Sequence, residues 1–325
     1  MLTYILLAIG FFLLIKGAHL LVEGATSIAK KFRISDIIVG LTIVAFGTSM
    51  PELVVNLVAS FNGASEISIG NILGSNIANI LLILGVTAVI RKVEVGEGTV
   101  WKEIPFSLFV ATLLLVLSNG YIFGETNTGM LDKTDGLILL FFFSIFLVYT
   151  FFIAKSNQKT FEVTQNTKGF FQAFVEVLGG MFALYFGGRW VVNGAISIAE
   201  VFNISQTVIG VTIVALGTSL PELVTSVIAT LKHKSDIAIG NIVGSNIFNI
   251  LWVLGISSII LPIKLESETT IDFAVLILSS FLLFMFLFVG KDIKKFQPDT
   301  HALNKKEGLI FIAIYIIYIV YRVVG

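Results

Sequence analysis

Two acidic residues stand where acids are rare, inside long apolar runs, and each directly follows a proline. Glu52 closes the stretch Gly47-Thr48-Ser49-Met50-Pro51-Glu52, and Glu222 closes Gly217-Thr218-Ser219-Leu220-Pro221-Glu222. Proline lacks an N–H and its ring clashes with the carbonyl four residues back. In the first stretch that carbonyl is Gly47's, so the helix is expected to open and free carbonyls near Ala45 to Thr48. Unpaired carbonyls persist at membrane depth only where they face protein, a polar cavity or an ion. Thr48 and Glu52 lie four apart, on one helix face, which gathers hydroxyl, carboxylate and free carbonyls. The second stretch does the same with Ala215, Thr218, Ser219, Pro221 and Glu222. On neighbouring runs, Ser75 with Asn79 and Ser245 with Asn249 are again four apart.

These are carboxylate, hydroxyl, amide and backbone oxygens, without nitrogen or sulfur ligands. Such a set suits hard cations: calcium takes about 6 to 8 oxygens, and sodium accepts the same groups. A carboxylate at the bilayer centre costs about 2.5 kcal/mol or more, so two of them beside two prolines argue for a shared ion site. Other positions admit a plainer reading. Gly70 with Gly74, and Gly240 with Gly244, make small-residue faces for close helix approach, and Asn71, Asn76, Asn241 and Asn246 can simply hydrogen-bond across helices. Glu176, Glu23 and Asp36 are expected at span ends, facing interface or solvent.

The elements that must hold these groups are membrane helices. Of 325 residues 56% are hydrophobic and 13% charged, with mean hydropathy +0.97, whereas soluble domains carry about 25% charged residues. The 21 Lys and Arg balance 21 Asp and Glu, which leaves no basic excess for nucleic acid. Without cysteine there is no disulfide, thiolate metal site or cysteine nucleophile, and His19, His233 and His301 are scattered. No cofactor and no obligatory protein partner is expected; the partners are transported ions and the lipid bilayer.

With about 20 apolar residues per span, ten candidates emerge: Leu2 to Val22, Ile37 to Ser60, Ile67 to Ile90, Ile104 to Asn119, Thr134 to Ile153, Phe170 to Val192, Thr207 to Leu231, Ile237 to Leu261, Ile271 to Val289 and Gly308 to Val324. Met1-Leu2-Thr3 leads into apolar sequence without a basic region or cleavage site, so the first span is expected to be retained. Short cytoplasmic loops are enriched in Lys and Arg. Loops after odd-numbered spans hold about 16 cations, Lys30, Lys31 and Arg33 among them, against Lys133 and Lys264 on the other side. Both termini are therefore expected outside the cell, in a multi-pass cell-membrane protein.

One internal match dominates. The stretch from Gly40 to Val54 returns from Gly210 to Val224, and Ile69 to Leu81 returns from Ile239 to Leu251, both at the same offset. From Gly40 to Gly85 about 28 of 46 positions are identical. Gly17 with Gly187, and Gly24 with Gly194, extend it to the first and sixth spans. The offset covers five spans, an odd number, so the copies must cross the bilayer in opposite directions. Inverted repeats are the architecture of many secondary transporters, with the site near the midplane where the copies meet. The fold class expected is an all-α polytopic membrane protein: ten transmembrane helices as two inverted five-helix repeats, 1–153 and 170–325, joined by a short cytoplasmic linker, 154–169.

At these residues the chain resembles the sodium/calcium exchanger branch of the cation/calcium exchanger superfamily, marked by two inverted G-T-S-x-P-E motifs, each followed by a G-S-N motif. The resemblance is tightest over 40–85 and 210–255. It implies four clustered cation sites, a central one for calcium, with both glutamates as shared ligands. Carried over by position, the ligands would be Ala45 (carbonyl), Thr48, Ser49, Glu52, Ser75 and Asn79, with Ala215 (carbonyl), Thr218, Ser219, Glu222, Ser245 and Asn249. It also implies that the first and sixth spans slide across the other eight. Several prokaryotic and potassium-dependent relatives carry Asp where this chain has Asn249, which argues against potassium dependence; proton-coupled members carry a different acidic motif. H+-coupled or K+-dependent calcium/cation antiport is the alternative, and an intramembrane enzyme lacks a nucleophile and base arrangement here.

Charge counting agrees with antiport. Two carboxylates neutralise one calcium, while three sodium ions leave the loaded core one charge positive. At a tenfold gradient each sodium supplies about 1.4 kcal/mol, and one charge across 100 mV adds about 2.3 kcal/mol. Three-for-one exchange thus sustains a calcium gradient of order ten thousand, two-for-one only about a hundred.

Overall fold

A computed structural model of the chain describes residues 2–64, 66–118, 129–156, 168–202, 215–265, 269–289 and 300–324. Residues 157–167 of the expected linker and 203–214, which begin the second copy of the repeat, lie outside the described residues. The helices are α1 (Leu2–Phe32), α2 (Asp36–Thr48), α3 (Met50–Phe61), α4 (Ile67–Ile90), α5 (Thr99–Ser118), α6 (Lys133–Ser156), α7 (Phe170–Val201), α8 (Ala215–Thr218), α9 (Leu220–Leu231), α10 (Ser235–Ile260), α11 (Thr269–Val289) and α12 (Lys305–Val324). Four short strands are β1 (Val93–Gly96), β2 (Met130–Leu131), β3 (Ile263–Lys264) and β4 (Thr300–Leu303).

Seven described helices are long and apolar enough to cross a membrane, and α2 with α3 make an eighth, bent by 44°. The outward faces suit lipid: Phe151 is 67% exposed and Phe171 78%, apolar surface that water would penalise. The first helix runs ten residues past its expected end, to Phe32, so Lys30 and Lys31 sit in its last turn, where they complement the helix dipole.

Glycine spacing sets the tightest packing. A Cβ at Gly10 would fall 2.9 Å from the Gly187 carbonyl oxygen, one at Gly17 2.9 Å from that of Gly180, and one at Gly24 2.7 Å from that of Ala173. As numbers rise on α1 they fall on α7, so the two helices are antiparallel and in backbone contact along their length. Gly180→Val would place its side chain 2.7 Å from the Leu21 backbone nitrogen, which cannot yield without parting the helices. Thermal unfolding in detergent is expected to fall by several degrees for Gly180→Val and to stay level for Gly179→Val, whose Cβ meets nothing within 4 Å.

A second glycine seam joins α2 to α10. A Cβ at Gly240 would lie 2.8 Å from the Ile37 carbonyl oxygen, and one at Gly244 2.7 Å from that of Leu41. The same use was expected of Gly70 and Gly74, but nothing described comes within 4 Å of a Cβ there. The segment that would match α2 in the second copy begins in 203–214, outside the described residues.

The strands pair across the chain: β1 with β4 and β2 with β3, both antiparallel, from Val93↔Leu303 to Gly96↔Thr300 and from Met130↔Lys264 to Leu131↔Ile263. Tyr149 donates from its hydroxyl to Glu103, linking α6 to α5, and Tyr318 donates to Asp272 at 2.8 Å, linking α12 to α11.

Candidate cation site

Both broken helices are built alike. Ser49 (φ −81°, ψ 4°) and Ser219 (φ −86°, ψ 3°) leave helical geometry, and new helices α3 and α9 start at the next residue with proline in the first turn. Proline suits that turn because its missing N–H has no partner there in any helix. Glu52 and Glu222 therefore also stand in a first turn, where the partial positive charge of the helix N-terminus favours a carboxylate.

The Ala45 carbonyl differs from expectation. It accepts the Ser49 N–H at 3.0 Å, which leaves one lone pair for a further partner. The reason is geometric: Pro51 withholds the bond that would reach Gly47, while Ser49 still closes the last turn of α2 onto Ala45. In the second copy, Ala215 opens α8.

The side chains converge. Glu52, Glu222, Thr48, Ser75, Asn79, Ser245 and Asn249 are fully buried, and so are Ser49 and, to within 2%, Ser219. The Thr48 hydroxyl donates to Asn241 Oδ1 at 2.9 Å and lies 3.3 Å from Ser245 Oγ. Ser49 and Ser245 each donate to Glu222 Oε1 at 3.3 Å. Thr218 repeats the pattern of Thr48, donating to Asn71 Oδ1 at 3.3 Å and lying 3.4 Å from Ser75 Oγ. Glu52 faces Glu222, Thr218 and Ser219, with neither of its oxygens hydrogen-bonded.

Four asparagines form a quartet between α4 and α10. Asn79 donates its amide to Asn246 Oδ1 at 2.9 Å, and Asn249 donates to Asn76 Oδ1 at 3.0 Å; Asn76 and Asn246 donate in turn to each other's backbone carbonyls at 3.1 and 3.4 Å. With their NH2 groups fixed, Asn79 and Asn249 each keep a buried Oδ1 without a partner. Both residues also begin π-helical turns, Asn79–Ile83 and Asn249–Leu254, a local widening frequent at functional sites.

Leaving buried polar atoms unpaired costs about 1–3 kcal/mol each. Here Glu52 Oε1 and Oε2, Glu222 Oε2, Asn79 Oδ1, Asn249 Oδ1 and Ser219 Oγ are all unpartnered, and all are oxygens. Among the described residues no cluster of three or more His, Cys, Asp or Glu occurs, so the set holds two carboxylates and otherwise neutral oxygens. It can coordinate hard cations with two formal charges.

Sequence reasoning did not assign roles to Asn56 and Ser226, which anchor the Thr-bonded asparagines: Asn71 donates to Asn56 Oδ1 at 2.8 Å and Asn241 to Ser226 Oγ at 3.0 Å. Their equal offset within the repeat was the available signal. Glu23 and Asp36, expected solvated at span ends, are partly exposed there and ion-paired as well: Glu23 with Lys232 at 2.6 Å and Lys168 at 3.1 Å, and Asp36 with Lys234 at 2.7 Å. Lys168 also meets Glu176 at 2.8 Å, and hydrogen bonds to Glu176 and then Glu23 hold its ammonium above the usual lysine range.

A cavity of about 480 Å³ approaches the site from the face carrying the turn after α3. Its walls run from Asn62, just past α3, and Val58 on α3, past Arg189 and Asn193 on α7, to Gly217, Thr218 and Pro221.

Residues 2–152 and 173–324 match the family described as sodium/calcium exchanger protein. Sodium/calcium exchanger MaX1 of Methanosarcina acetivorans is 31% identical over 98% of this chain and 97% of its own. Inner membrane protein YrbG of Escherichia coli (strain K12) is 35% identical over 85% of this chain and 86% of its own. Among solved structures, one of the sodium-calcium exchanger NCX_Mj soaked with Na+ and Sr2+ superposes with a TM-score of 0.81 at 32% identity, covering 98% of both chains.

Proposed function

The chain belongs to the sodium/calcium exchanger protein family, and from that premise we propose that it is an antiporter exchanging Na+ for Ca2+, about three for one, by alternating access. The observation that carries this reading is the convergence of buried, unpartnered oxygens from Glu52, Glu222, Asn79, Asn249 and Ser219. The ligands proposed are those twelve residues already named, Ala45 and Ala215 through their carbonyls. Calcium has its charge matched by the two glutamates, and sodium ions take the same oxygens in turn. Asn249 supplies a neutral oxygen, so no third acid joins the centre. MaX1 and NCX_Mj bear the name sodium/calcium exchanger, which agrees with the ions proposed.

The same reading takes the fold as ten spans in two inverted repeats, 1–153 and 170–325, around the linker 154–169, in the cell membrane with both termini outside. Three relations support it. Helices α1 and α7, at equivalent places in the two copies, run antiparallel. The Tyr149–Glu103 and Tyr318–Asp272 links have the same sequence separation of 46 residues, which carries the correspondence into the last two helices of each half. Each β ribbon takes one strand from either half.

Proteoliposomes loaded with sodium and diluted into calcium test the coupling. Calcium uptake is expected with internal sodium and not with internal potassium, lithium or a proton gradient alone. An inside-positive potential should speed uptake, because one net positive charge leaves with each three sodium ions exchanged. Equal uptake from sodium-free vesicles bearing only a proton gradient would reject the proposal.

A further inference from the structure

Equivalent positions of the repeat carry different chemistry on the two faces of the molecule. On one face Lys232, just past the end of α9, pairs with Glu23 of α1 at 2.6 Å. The shared repeat offset carries Glu23 to Asn193 and Lys232 to Asn62, and both asparagines line the open cavity on the other face. The backbone places them alike. After α9, Lys234 N–H bonds the Ala229 carbonyl at 2.8 Å and His233 N–H that of Thr230 at 3.1 Å, with His233 left-handed at φ 61°. After α3, Ala64 N–H bonds the Ala59 carbonyl at 2.9 Å and Gly63 N–H that of Ser60 at 3.2 Å, with Gly63 at φ 77°. Both helices thus end in the same cap, and Asn62 and Lys232 each immediately precede its left-handed residue.

Exposure separates the faces as well. Val58 on the cavity wall is 53% exposed, and its repeat equivalent Ile228, one turn before Lys232, is 6% exposed. One mouth opens onto Thr218, whereas the recess of about 390 Å³ at the other is lined by Glu23, Lys168 and Lys232, includes none of the proposed ligands, and is crossed by the ion pair between α1 and the end of α9. Among the described residues the other charges near Glu23 do not cross that boundary: His19 and Lys30 are on α1 itself, Lys168 and Glu176 belong to α7 and the residues just before it, and the Asp36–Lys234 pair joins the starts of α2 and α10.

We propose that Glu23 and Lys232 are positioning residues that lock one mouth of the path, and that Asn193 and Asn62 are their uncharged counterparts, meeting amide to amide when the other mouth closes. The lock rests on the alternating-access reading above. Its consequence is a built-in bias: an ion pair holds one state and a neutral amide pair the other, so the resting protein favours the state with the Lys232 mouth shut. Glu23 and Lys232 side chains are 48% and 26% exposed, so the bias is small, of the size of a partly solvated pair, and a small bias still redistributes two nearly balanced states.

The chain has no cysteine, so one introduced thiol reports one mouth. Maleimide labelling of Val58→Cys and of Ile228→Cys is measured in proteoliposomes and detergent, each alone and combined with changes at the lock. With Glu23→Gln or Lys232→Asn, labelling at I228C is expected to rise about two- to fivefold, while labelling at V58C falls or stays level. The charge swap E23K/K232E should restore the parent I228C rate, and Lys168→Gln should leave it unchanged. Building the ion pair on the other mouth, N62K/N193E, should slow labelling at V58C. Unchanged I228C labelling in both single variants, a rise at both reporters, or no slowing at V58C with N62K/N193E overturns the lock. Labelling needs no transport, so failure of sodium-driven uptake in the parent protein would reject the exchange reading separately.

Discussion

Glu52→Gln and Glu222→Gln should each reduce sodium-driven calcium flux by at least a hundredfold, while the protein still purifies as a folded species. Both carboxylates are fully buried, Glu52 with neither oxygen partnered and Glu222 with one oxygen free. A divalent ion in that setting needs formal negative charge close by, since burying an uncompensated charge is far costlier than burying an amide. Glutamine keeps the size and one oxygen and removes the charge. Unlike the flux, cation-free thermal stability should hold or rise, because two neighbouring buried acids repel each other and an amide is easier to leave in the membrane. Glu176→Gln, which alters the pairing with Lys168 and the bond from Gln172, away from the proposed ligands, should transport nearly as the parent does. Near-normal flux in both Glu52→Gln and Glu222→Gln would end the shared-site reading.

Asn76→Leu and Asn246→Leu should weaken calcium about ten- to a hundredfold although neither residue is a proposed ligand. Asn76 accepts the Asn249 amide at 3.0 Å and Asn246 accepts that of Asn79 at 2.9 Å. These bonds fix which end of each ligand amide faces the site. A leucine would leave an NH2 group without its acceptor, free to rotate toward the cation and present hydrogens in place of oxygen. Loss of partners that orient ligands typically costs 10–100-fold in metal affinity. The half-saturating calcium concentration for uptake reads this out, and an unchanged value in both variants would show that the amides are oriented by something else.

Much of the site was legible in the sequence because its chemistry is written in residue types that membrane helices avoid. Pro51 and Pro221 announced the breaks at Ser49 and Ser219, and the identical offset of Glu52 with Glu222 and Asn79 with Asn249 announced that two surfaces meet. What stayed hidden depends on which atoms face which. No pattern distinguishes Asn76 as the group that turns Asn249, since each of the two apolar runs carries several asparagines and nothing in their spacing says which pair across the helices. The Ala45 carbonyl keeps its bond from the Ser49 N–H because a proline removes one specific bond, not a whole turn of them. Gly70 and Gly74 look the same as Gly240 and Gly244 in sequence, yet among the described residues only the latter touch another backbone. The Glu23–Lys232 pair joins residues from opposite halves of the chain, and neither stands in a motif.

The two β ribbons carry a consequence for biosynthesis. Strand β1 leaves the ribosome with its hydrogen-bonding edge bare, and its partner β4 is made more than 200 residues later. An unpaired edge at a membrane surface can recruit any other extended segment, so the nascent chain carries that hazard through most of its translation. Contacts this distant in sequence also form slowly. Translation paused before β4 should leave an insertion intermediate whose helices are in place but whose β1 edge is open to proteases and chaperones. The closing of these ribbons would then mark the moment at which the newly made protein becomes a single cooperative unit.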